Sequence, residues 1–349
     1  MVKVFDNHKQ FKELVELSST FFYADDLTSD FEVVLVGGSK IEYSSKNTIL
    51  IDPESEYGRM FETDRYTCDK LEKLRPNNII LISHFTDKDV EMCFYPIHWI
   101  KVISGNTPPK KSEHIIKDGL CMLGGWTPRR KIIYEKLIQY KENIMISYYP
   151  RQCKDWDDDH TKRIHYYVDP LIEKLDIPEF RNQCIFKNRL FTQEKVTSII
   201  DDNITYSQLI PQKLFSHINI HFVAETEDDF QLKENKQSEG FFVTEKSGKA
   251  LYSGSPWVIY GAEGFLQNLK YLGFETFGDI IDESYDDVCC SFERAARAAD
   301  SFIEFINQPE RVKRLALQKV KSRCEHNQKL ISDLKIWTAP VEEKIKKML

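Results

Sequence analysis

Continuous apolar segments separated by polar ones dominate the first third of the chain. Residues 31–38, 48–52 and 78–83 are rich in valine, isoleucine and leucine and lack an alternation of apolar with polar positions. Such runs favour strands that are buried on both faces of a parallel sheet. A fourth apolar run, residues 99–104, is predicted to be another strand. The pattern predicts an α/β domain that ends near the proline- and lysine-rich residues 107–111.

A second α/β pattern follows this break. Apolar runs at residues 143–148, 217–224 and 256–260 are predicted to be strands, and residues 130–140 and 160–175 have helical periodicity. The chain then becomes helical in pattern, with helices predicted over the ranges 288–306 and 311–336. We therefore predict an N-terminal domain, a second domain and a helical C-terminal tail, with the boundaries 1–112, 113–308 and 309–349.

Composition indicates a globular protein of a reducing compartment. The 349 residues are 41% hydrophobic and 30% charged, and the net charge of −7 argues against an even positive coat, although a local basic cleft is compatible with it. The eight cysteines form no Cys-x-x-Cys pair, which favours reduced thiols. No apolar run approaches the roughly 20 residues of a membrane span. A cytoplasmic monomer that does not enter membranes is expected.

The segment 241–261 has the pattern of a polar turn, a helix and a buried strand. Thr244 precedes the helix, and Glu245 and Lys246 fall in its first turn. A helix N-terminus carries unpaired N–H groups and partial positive charge, both of which suit a phosphate, and a lysine there adds a full charge. A glutamate beside it can accept hydrogen bonds from sugar hydroxyls. The alternative is an ordinary surface helix with a solvated ion pair.

Six short segments follow one another between roughly residues 118 and 300. They are TPRR at 127–130, HINIHFVAET at 217–226, VTEK at 243–246, PWVIYGAEG at 256–264, LGFETF at 272–277 and DESYD at 282–286. In this order they resemble the donor-binding part of fucosyltransferase-type GT-B glycosyltransferases and of related phage glycosyltransferases.

This resemblance implies a GT-B fold, in which two Rossmann-like domains face a cleft and the second domain holds the nucleotide sugar. It implies that Arg130 and Lys246 neutralise the diphosphate, and that Glu225 and Glu245 bind sugar or ribose hydroxyls, next to Thr244. No metal or other cofactor is required in this scheme, and the substrate is a UDP- or GDP-sugar. Phe242 stands where the family commonly has tyrosine, and TPRR differs from the family's Arg-Pro-His-Arg, so the sugar and the base stay open.

The acceptor hydroxyl needs a general base, typically a carboxylate or histidine of the N-terminal domain. Asp52, Glu54 and His84 stand at predicted strand ends and are alternative candidates. The residues themselves do not distinguish between them.

Basic residues and aromatic residues are interleaved between positions 126 and 163, as a nucleic-acid cleft requires. Arg129, Lys131, Arg151 and Lys154 are the candidate DNA contacts, and solvated helix faces beside a phosphate site are the alternative reading. The first hypothesis for the acceptor is 5-hydroxymethylcytosine in phage DNA, with transfer of glucose or of a pentose such as arabinose. A surface glycan or a protein is the second, and a non-catalytic nucleotide- or glycan-binding module is a third from another class.

Four other features are weighed against structural interpretations. The Asp-x-Asp at residues 157–159 resembles a metal-binding signature, but its place before a predicted helix favours capping. Gly37 and Gly38 follow a strand without the third glycine of a dinucleotide fingerprint, which argues against an epimerase or dehydrogenase. His217 and His221 lie on one face of a strand and are interpreted as core or surface residues. Residues 282–286 are either cleft-lining or structural.

Overall fold

The computed structural model describes residues 2–6, 16–17, 21–23, 33–37, 48–52, 79–83, 85–86, 92–124, 127–149, 167–168, 209–225 and 241–348. The chain divides into two compact units, each of which is discontinuous in sequence, and the domain boundaries 1–112, 113–308 and 309–349 stay a prediction. The first unit takes residues 1–104, 229–244 and 333–349, and the second takes 105–228 and 245–332.

The first unit contains a six-stranded sheet in the order β2-β1-β3-β4-β5-β7, in which every neighbouring pair is parallel. This arrangement confirms the strands predicted from the three valine- and isoleucine-rich runs and their parallel pairing. Two short strands, β6 and β12, pair antiparallel beside it. The bounds are β1 Val2–Asp6, β2 Phe21–Tyr23, β3 Val33–Gly37, β4 Thr48–Asp52, β5 Ile79–Ser83, β6 Phe85–Thr86, β7 Met92–Phe94 and β12 Phe241–Phe242.

The predicted strand at residues 99–104 is wrong, because this run forms helix α1, Ile97–Gly105. The amide of Ile100 donates to the carbonyl of Pro96 at 3.0 Å, which closes the first helical turn. Trp99 is fully buried and meets Trp337 edge-on at 5.6 Å between ring centroids. A helix buried on most sides is apolar almost throughout, so its sequence resembles that of a buried strand.

The second unit contains a five-stranded sheet in the order β10-β9-β8-β11-β13. Its four long strands are parallel, and β10 pairs antiparallel with β9. The helix predicted over residues 160–175 is wrong at this strand, where aromatic and β-branched residues suit a sheet edge better than a helix. The bounds are β8 Lys117–Gly124, β9 Ile144–Tyr149, β10 Tyr167–Val168, β11 Ile218–Ala224 and β13 Trp257–Tyr260.

Three helices, Pro128–Leu137, Ser291–Ile306 and Glu310–Ser332, match the predicted ranges 130–140, 288–306 and 311–336, except that the last one ends early. The long tail helix stops at Ser332, and a separate helix begins at Leu334, because the Asp333 carboxylate accepts the amide of Lys335 at 3.1 Å and caps the new helix. Nothing among the described helices is long and apolar enough to cross a membrane. The bounds are α2 Pro128–Leu137, α3 Gln212–Ser216, α4 Glu245–Tyr252, α5 Phe265–Tyr271, α6 Ser291–Ile306, α7 Glu310–Ser332 and α8 Leu334–Met348, with 3-10 turns at Ile138–Tyr140 and Ser284–Asp287.

Strand β11 is covered by helices on both faces. On one face the Phe222 ring meets Phe302 of α6 edge-on at 5.4 Å between centroids. On the other face the His221 ring lies 4.5 Å from the ring of Phe215 in α3. His221 is therefore a core residue, as one of its two sequence interpretations holds, and burial lowers the pKa of its imidazole well below the usual value, with the charge of Lys111 adding to the effect.

Candidate functional site

The candidate site lies at the carboxyl edge of the second unit's sheet. Strands β8, β9, β11 and β13 are parallel, so their last residues share one edge. In open α/β sheets, ligands bind outside the carboxyl ends of the strands. Two helices start at this edge, α2 directly after β8 and α4 beside the end of β11.

Helix α2 begins with a well-formed cap. Thr127 has extended backbone angles, its hydroxyl oxygen accepts the amide of Arg130 at 3.1 Å, and Pro128 occupies the first helical position. A threonine cap followed by proline is a strong start signal, since proline lacks the N–H that would otherwise be unpaired there.

Arg130 ties α2 to the end of β11. Its side chain is buried, and its Nη2 donates to the carbonyl of Glu225 at 2.9 Å and to that of Ala224 at 3.3 Å. The guanidinium therefore places a positive charge just inside the carboxyl edge. Its predicted role against a diphosphate stays a prediction, to which the structure adds this second, architectural role.

Glu225 links the end of β11 to the start of α4. Its amide donates to the carbonyl of Tyr260 at 2.9 Å, which continues the ladder between β11 and β13. Its side chain is 2% exposed, and its Oε1 accepts the amide of Ser247 at 3.2 Å. Ser247 is the third residue of α4, so the carboxylate satisfies one of the N–H groups that a helix leaves unpaired at its N-terminus. Contact of Glu225 with a sugar hydroxyl stays a prediction.

Glu245 and Lys246 form an ion pair in the first turn of α4. The Lys246 Nζ lies 2.9 Å from Oε1 of Glu245, and the two side chains are only 23% and 16% exposed. The pair is thus less solvated than the surface ion pair that was the alternative interpretation. Thr244, directly before the helix, is buried.

Lys249 extends this group of charges by one helical turn. Burial lowers the pKa of its ammonium group to about 8, with the Glu245 carboxylate opposing the shift and the Lys246 charge adding to it. The start of α4 therefore combines two lysines, one glutamate and the partial positive charge of the helix end.

A glycine turn, residues 261–264, follows β13 at the same edge. A Cβ atom on Gly261 would lie 2.5 Å from the Phe265 ring, and Gly264 has a positive φ of 72°. Both positions therefore require glycine, the first for lack of space and the second for its left-handed backbone. Between them Ala262 is buried and Glu263 is exposed.

The acidic segment 282–286 has a structural role. Glu283 accepts the amide of Phe277 at 2.6 Å, and Asp282 accepts that of Ser284 at 2.9 Å. Asp286 accepts the amide of Leu266 at 2.9 Å. The structural interpretation of this motif is therefore the one that the contacts support.

The remaining predicted site residues lie apart from these contacts or outside the described residues. The guanidinium of Arg129 stacks 5.5 Å from the ring centroid of Phe292, and Lys131 forms an exposed ion pair with Glu135 at 3.7 Å. Asp52 is the last residue of β4, in the first unit. Glu54, His84, Arg151, Lys154 and residues 157–159 fall outside the described residues. Within the ranges that the structure describes, no group of His, Cys, Asp and Glu side chains could hold a metal ion.

Sequence reasoning missed Ser247, Lys249 and Arg294. Arg294 carried a detectable signal, because it shares the buried stripe of α6 with Ala298 and Phe302. A charged residue at a core position of an amphipathic helix usually has a specific partner. Ser247 and Lys249 gave no comparable signal.

No protein-family model matches this chain, and no curated protein matches it in sequence. The solved structures that are similar to it include two glycosyltransferases. A DNA-modifying β-glucosyltransferase, determined with and without uridine diphosphoglucose, is 12% identical over 99% of both chains, with a TM-score of 0.44. An α1,3-fucosyltransferase is 11% identical over 91% of this chain and 80% of its own length, with a TM-score of 0.41.

Proposed function

We propose that the protein is a glycosyltransferase that moves a sugar from a nucleotide-sugar donor to an acceptor hydroxyl. The observation that carries the proposal is the arrangement at the end of β11. There the Glu225 carboxylate holds the first turn of α4 against the sheet, and that turn presents the partly buried pair Glu245–Lys246.

The chemistry of sugar transfer fits this arrangement. As the bond to the leaving nucleotide breaks, negative charge grows on the diphosphate, and fixed cations and helix N–H groups stabilise it best when they are already in place. Lys246 and the start of α4 supply such charges at the edge, and buried Arg130 supplies another behind it. A bound diphosphate would take Lys246 from Glu245, and the released carboxylate could then accept hydrogen bonds from sugar or ribose hydroxyls.

We extend the proposal to a GT-B organisation in which the second unit binds the donor and the first supplies the general base. Asp52, Glu54 and His84 are the candidates for this base. Asp52 ends a strand of a parallel sheet, as catalytic residues of α/β enzymes commonly do.

For the acceptor we propose 5-hydroxymethylcytosine in DNA, with glucose or a pentose such as arabinose as the transferred sugar. The support is the cationic start of α2, with Arg129 and Lys131, together with Arg151 and Lys154 further along the chain. One of the similar solved structures is that of a DNA-modifying β-glucosyltransferase, whose named substrate is uridine diphosphoglucose. A surface glycan or a protein is the alternative acceptor.

Donor binding is tested by replacing Lys246 with alanine. UDP, GDP, UDP-glucose and UDP-arabinose are titrated into the wild-type protein, and the melting temperature is followed. A ligand at a hundredfold excess over its Kd stabilises the folded protein by about 2.7 kcal/mol. K246A should weaken binding by about 10- to 150-fold, because a hydrogen bond to a charged group contributes about 1.5–3 kcal/mol.

The matched control is Lys321→Ala on α7. Lys321 also pairs with a glutamate, Glu325, but its side chain is 77% exposed, and no role at the site is proposed for it. K321A should bind the donor as the wild type does. Unchanged donor binding in K246A would contradict the site assignment.

Catalysis is separated from simple binding by a transfer assay. The donor that binds is mixed with hydroxymethylated duplex DNA, and the mass of the DNA and the released nucleotide are both measured. Equal gains of sugar on DNA and of free nucleotide support the proposed reaction. Tight donor binding without release of nucleotide to any acceptor would favour a non-catalytic binding module.

A further inference from the structure

Arg294 is the most deeply buried charged side chain near the candidate site. It projects from α6, and its exposed fraction is 0%. Its Nε donates to the carbonyl of Gly261 at 2.9 Å, and its Nη1 donates to the carbonyls of Val288 and Cys289. The guanidinium carbon also lies 5.9 Å from the ring centroid of Tyr260.

These contacts join two segments that are distant in sequence. Gly261 directly follows β13, whereas Val288 and Cys289 precede α6. Removing a guanidinium from water is costly, and it is tolerated only when the group has specific partners. A cation in this position therefore fixes the place of the Gly261 carbonyl relative to α6.

The far end of the glycine turn is held independently. The amide of Gly264 donates to the carbonyl of Asp286 at 2.9 Å, and Oδ2 of Asp286 accepts the amides of Leu266 and Gln267 at 2.9 and 3.3 Å. Both ends of the turn are thus fixed, and the exposed Glu263 stands between them.

The turn is adjacent to the proposed donor site. Tyr260 pairs with Ala224 in the sheet, and the amide of Glu225 donates to the carbonyl of Tyr260. The residue that follows Tyr260 therefore emerges at the carboxyl edge beside Glu225, which holds the start of α4.

We infer that Arg294 is a positioning residue for donor binding, and that it acts by holding the turn 261–264 so that Glu263 faces the hydroxyls of the nucleotide sugar. The inference rests on the proposed function. Glu263 offers a carboxylate, which accepts hydrogen bonds from ribose or hexose hydroxyls. Arg294 never touches the ligand, so its effect must pass through the turn.

The variant that tests this is Arg294→Lys. A lysine retains the charge but lacks the planar fork that reaches several carbonyls at once. R294K should raise the Kd for UDP-glucose about tenfold or more, measured by calorimetry well below the melting temperature of each variant, because a misplaced turn no longer presents Glu263.

Asn327→Ala is the matched structural control. Asn327 is 1% exposed, and its side chain bonds both the amide and the carbonyl of Glu275, at 2.8 and 2.7 Å, on a segment of the same unit. N327A should lower stability but leave the Kd within about twofold of the wild type, since it does not touch the turn. An equal rise in Kd for N327A would overturn the positioning role.

A double-mutant cycle combines Arg294→Lys with Glu263→Gln and measures the Kd for UDP-glucose. A merely structural role of Arg294 would produce no coupling between the two variants in this Kd. If Arg294 acts through Glu263, the two losses of affinity should be strongly non-additive. Additive losses, or a normal Kd in R294K, overturn the inference. If R294K does not fold, Gly264→Ala replaces it in the same cycle, because it strains the left-handed backbone while its Cβ has no atom within 4 Å.

Comparing the variants K246A and R294K also separates this inference from the proposed function. If the wild-type protein binds none of UDP, GDP and UDP-glucose, both the proposed function and the role of Arg294 are contradicted. Binding that is lost in K246A but normal in R294K would leave the donor site intact and remove only the role of Arg294.

Discussion

At the scale of single residues, Asp286 shows how a buried carboxyl is balanced between opposing effects. Burial raises the pKa of this group to about 6, whereas the amides of Leu266 and Gln267 and the charge of Arg294 oppose that rise. The neighbouring Asp287 carboxylate adds to it. The two amides and the Arg294 charge therefore stabilise the ionised carboxylate of Asp286, whereas its removal from water destabilises it.

This balance predicts a pH-dependent stability. Because the folded pKa lies above the ordinary value of 3.8, the folded protein binds the proton more tightly than the unfolded chain. The contribution of Asp286 to the free energy of unfolding is fully present below about pH 4 and is lost as the pH rises through about 6. Its size is at most about 3 kcal/mol, because the pKa shift is about two units. Asp286→Asn should remove this component of the pH dependence.

The measurement is urea unfolding of wild type and D286N between pH 4 and 7. The difference in free energy of unfolding between the two should change across this range, in the direction that favours the wild type at the acidic end. Asp282→Asn, an exposed residue of the same segment, is the control. A difference that is flat with pH would contradict the assignment.

The residues of the site could be predicted from the sequence where the interacting side chains are close together in sequence. Glu245 and Lys246 are adjacent, and a helix start can be read from the sequence around them. The contact between Glu225 and Ser247 spans 22 residues, and that between Arg294 and Gly261 spans 33. Such pairs depend on the order of strands in the sheet, which a local pattern does not contain.

At the scale of elements, the packing of α6 on β8 depends on one glycine. A Cβ on Gly119 would lie 2.6 Å from the tip of the Phe302 ring, closer than side chains pack. Gly119→Ala should therefore destabilise the protein by about 1–3 kcal/mol, the usual cost of overpacking a core. Urea unfolding of the single variant measures this loss.

The double variant G119A/F302L isolates the cause. Leucine lacks the end of the ring that an added methyl would meet, so part of the lost stability should return. Purely additive effects of the two substitutions would show that the destabilisation of G119A arises elsewhere.

The elements themselves were predicted best where composition and environment agree. The strands β3, β4 and β5 are continuous apolar runs that pair in parallel, and their sequences indicate such strands directly. Helix α1 is also rich in apolar residues because five of its nine residues are buried, so the same signal predicted the wrong element. The edge strand β10 and the new helix start at Asp333 depend on pairing and capping, which hydrophobic periodicity does not report.

At the scale of the whole molecule, the excess of acidic residues limits how DNA could be bound. The chain has 55 acidic and 48 basic residues, so its net field repels a polyanion. Binding to DNA would have to come from cations grouped at one place. Among the described residues, the exposed face of α2 offers Lys131, beside Arg129.

The salt dependence of DNA binding tests that grouping. Each phosphate contact contributes about 0.9 to the slope of log Kd against log salt concentration for duplex DNA. Lys131→Ala should therefore weaken binding to hydroxymethylated and unmodified duplexes alike and reduce the slope by about one. Lys321→Ala is a close control, because Lys321 and Lys131 both pair with a glutamate four residues later, at 3.8 and 3.7 Å. Equal slopes for the two variants would remove α2 from the acceptor surface, and absence of DNA binding in the wild type would favour a glycan or protein acceptor instead.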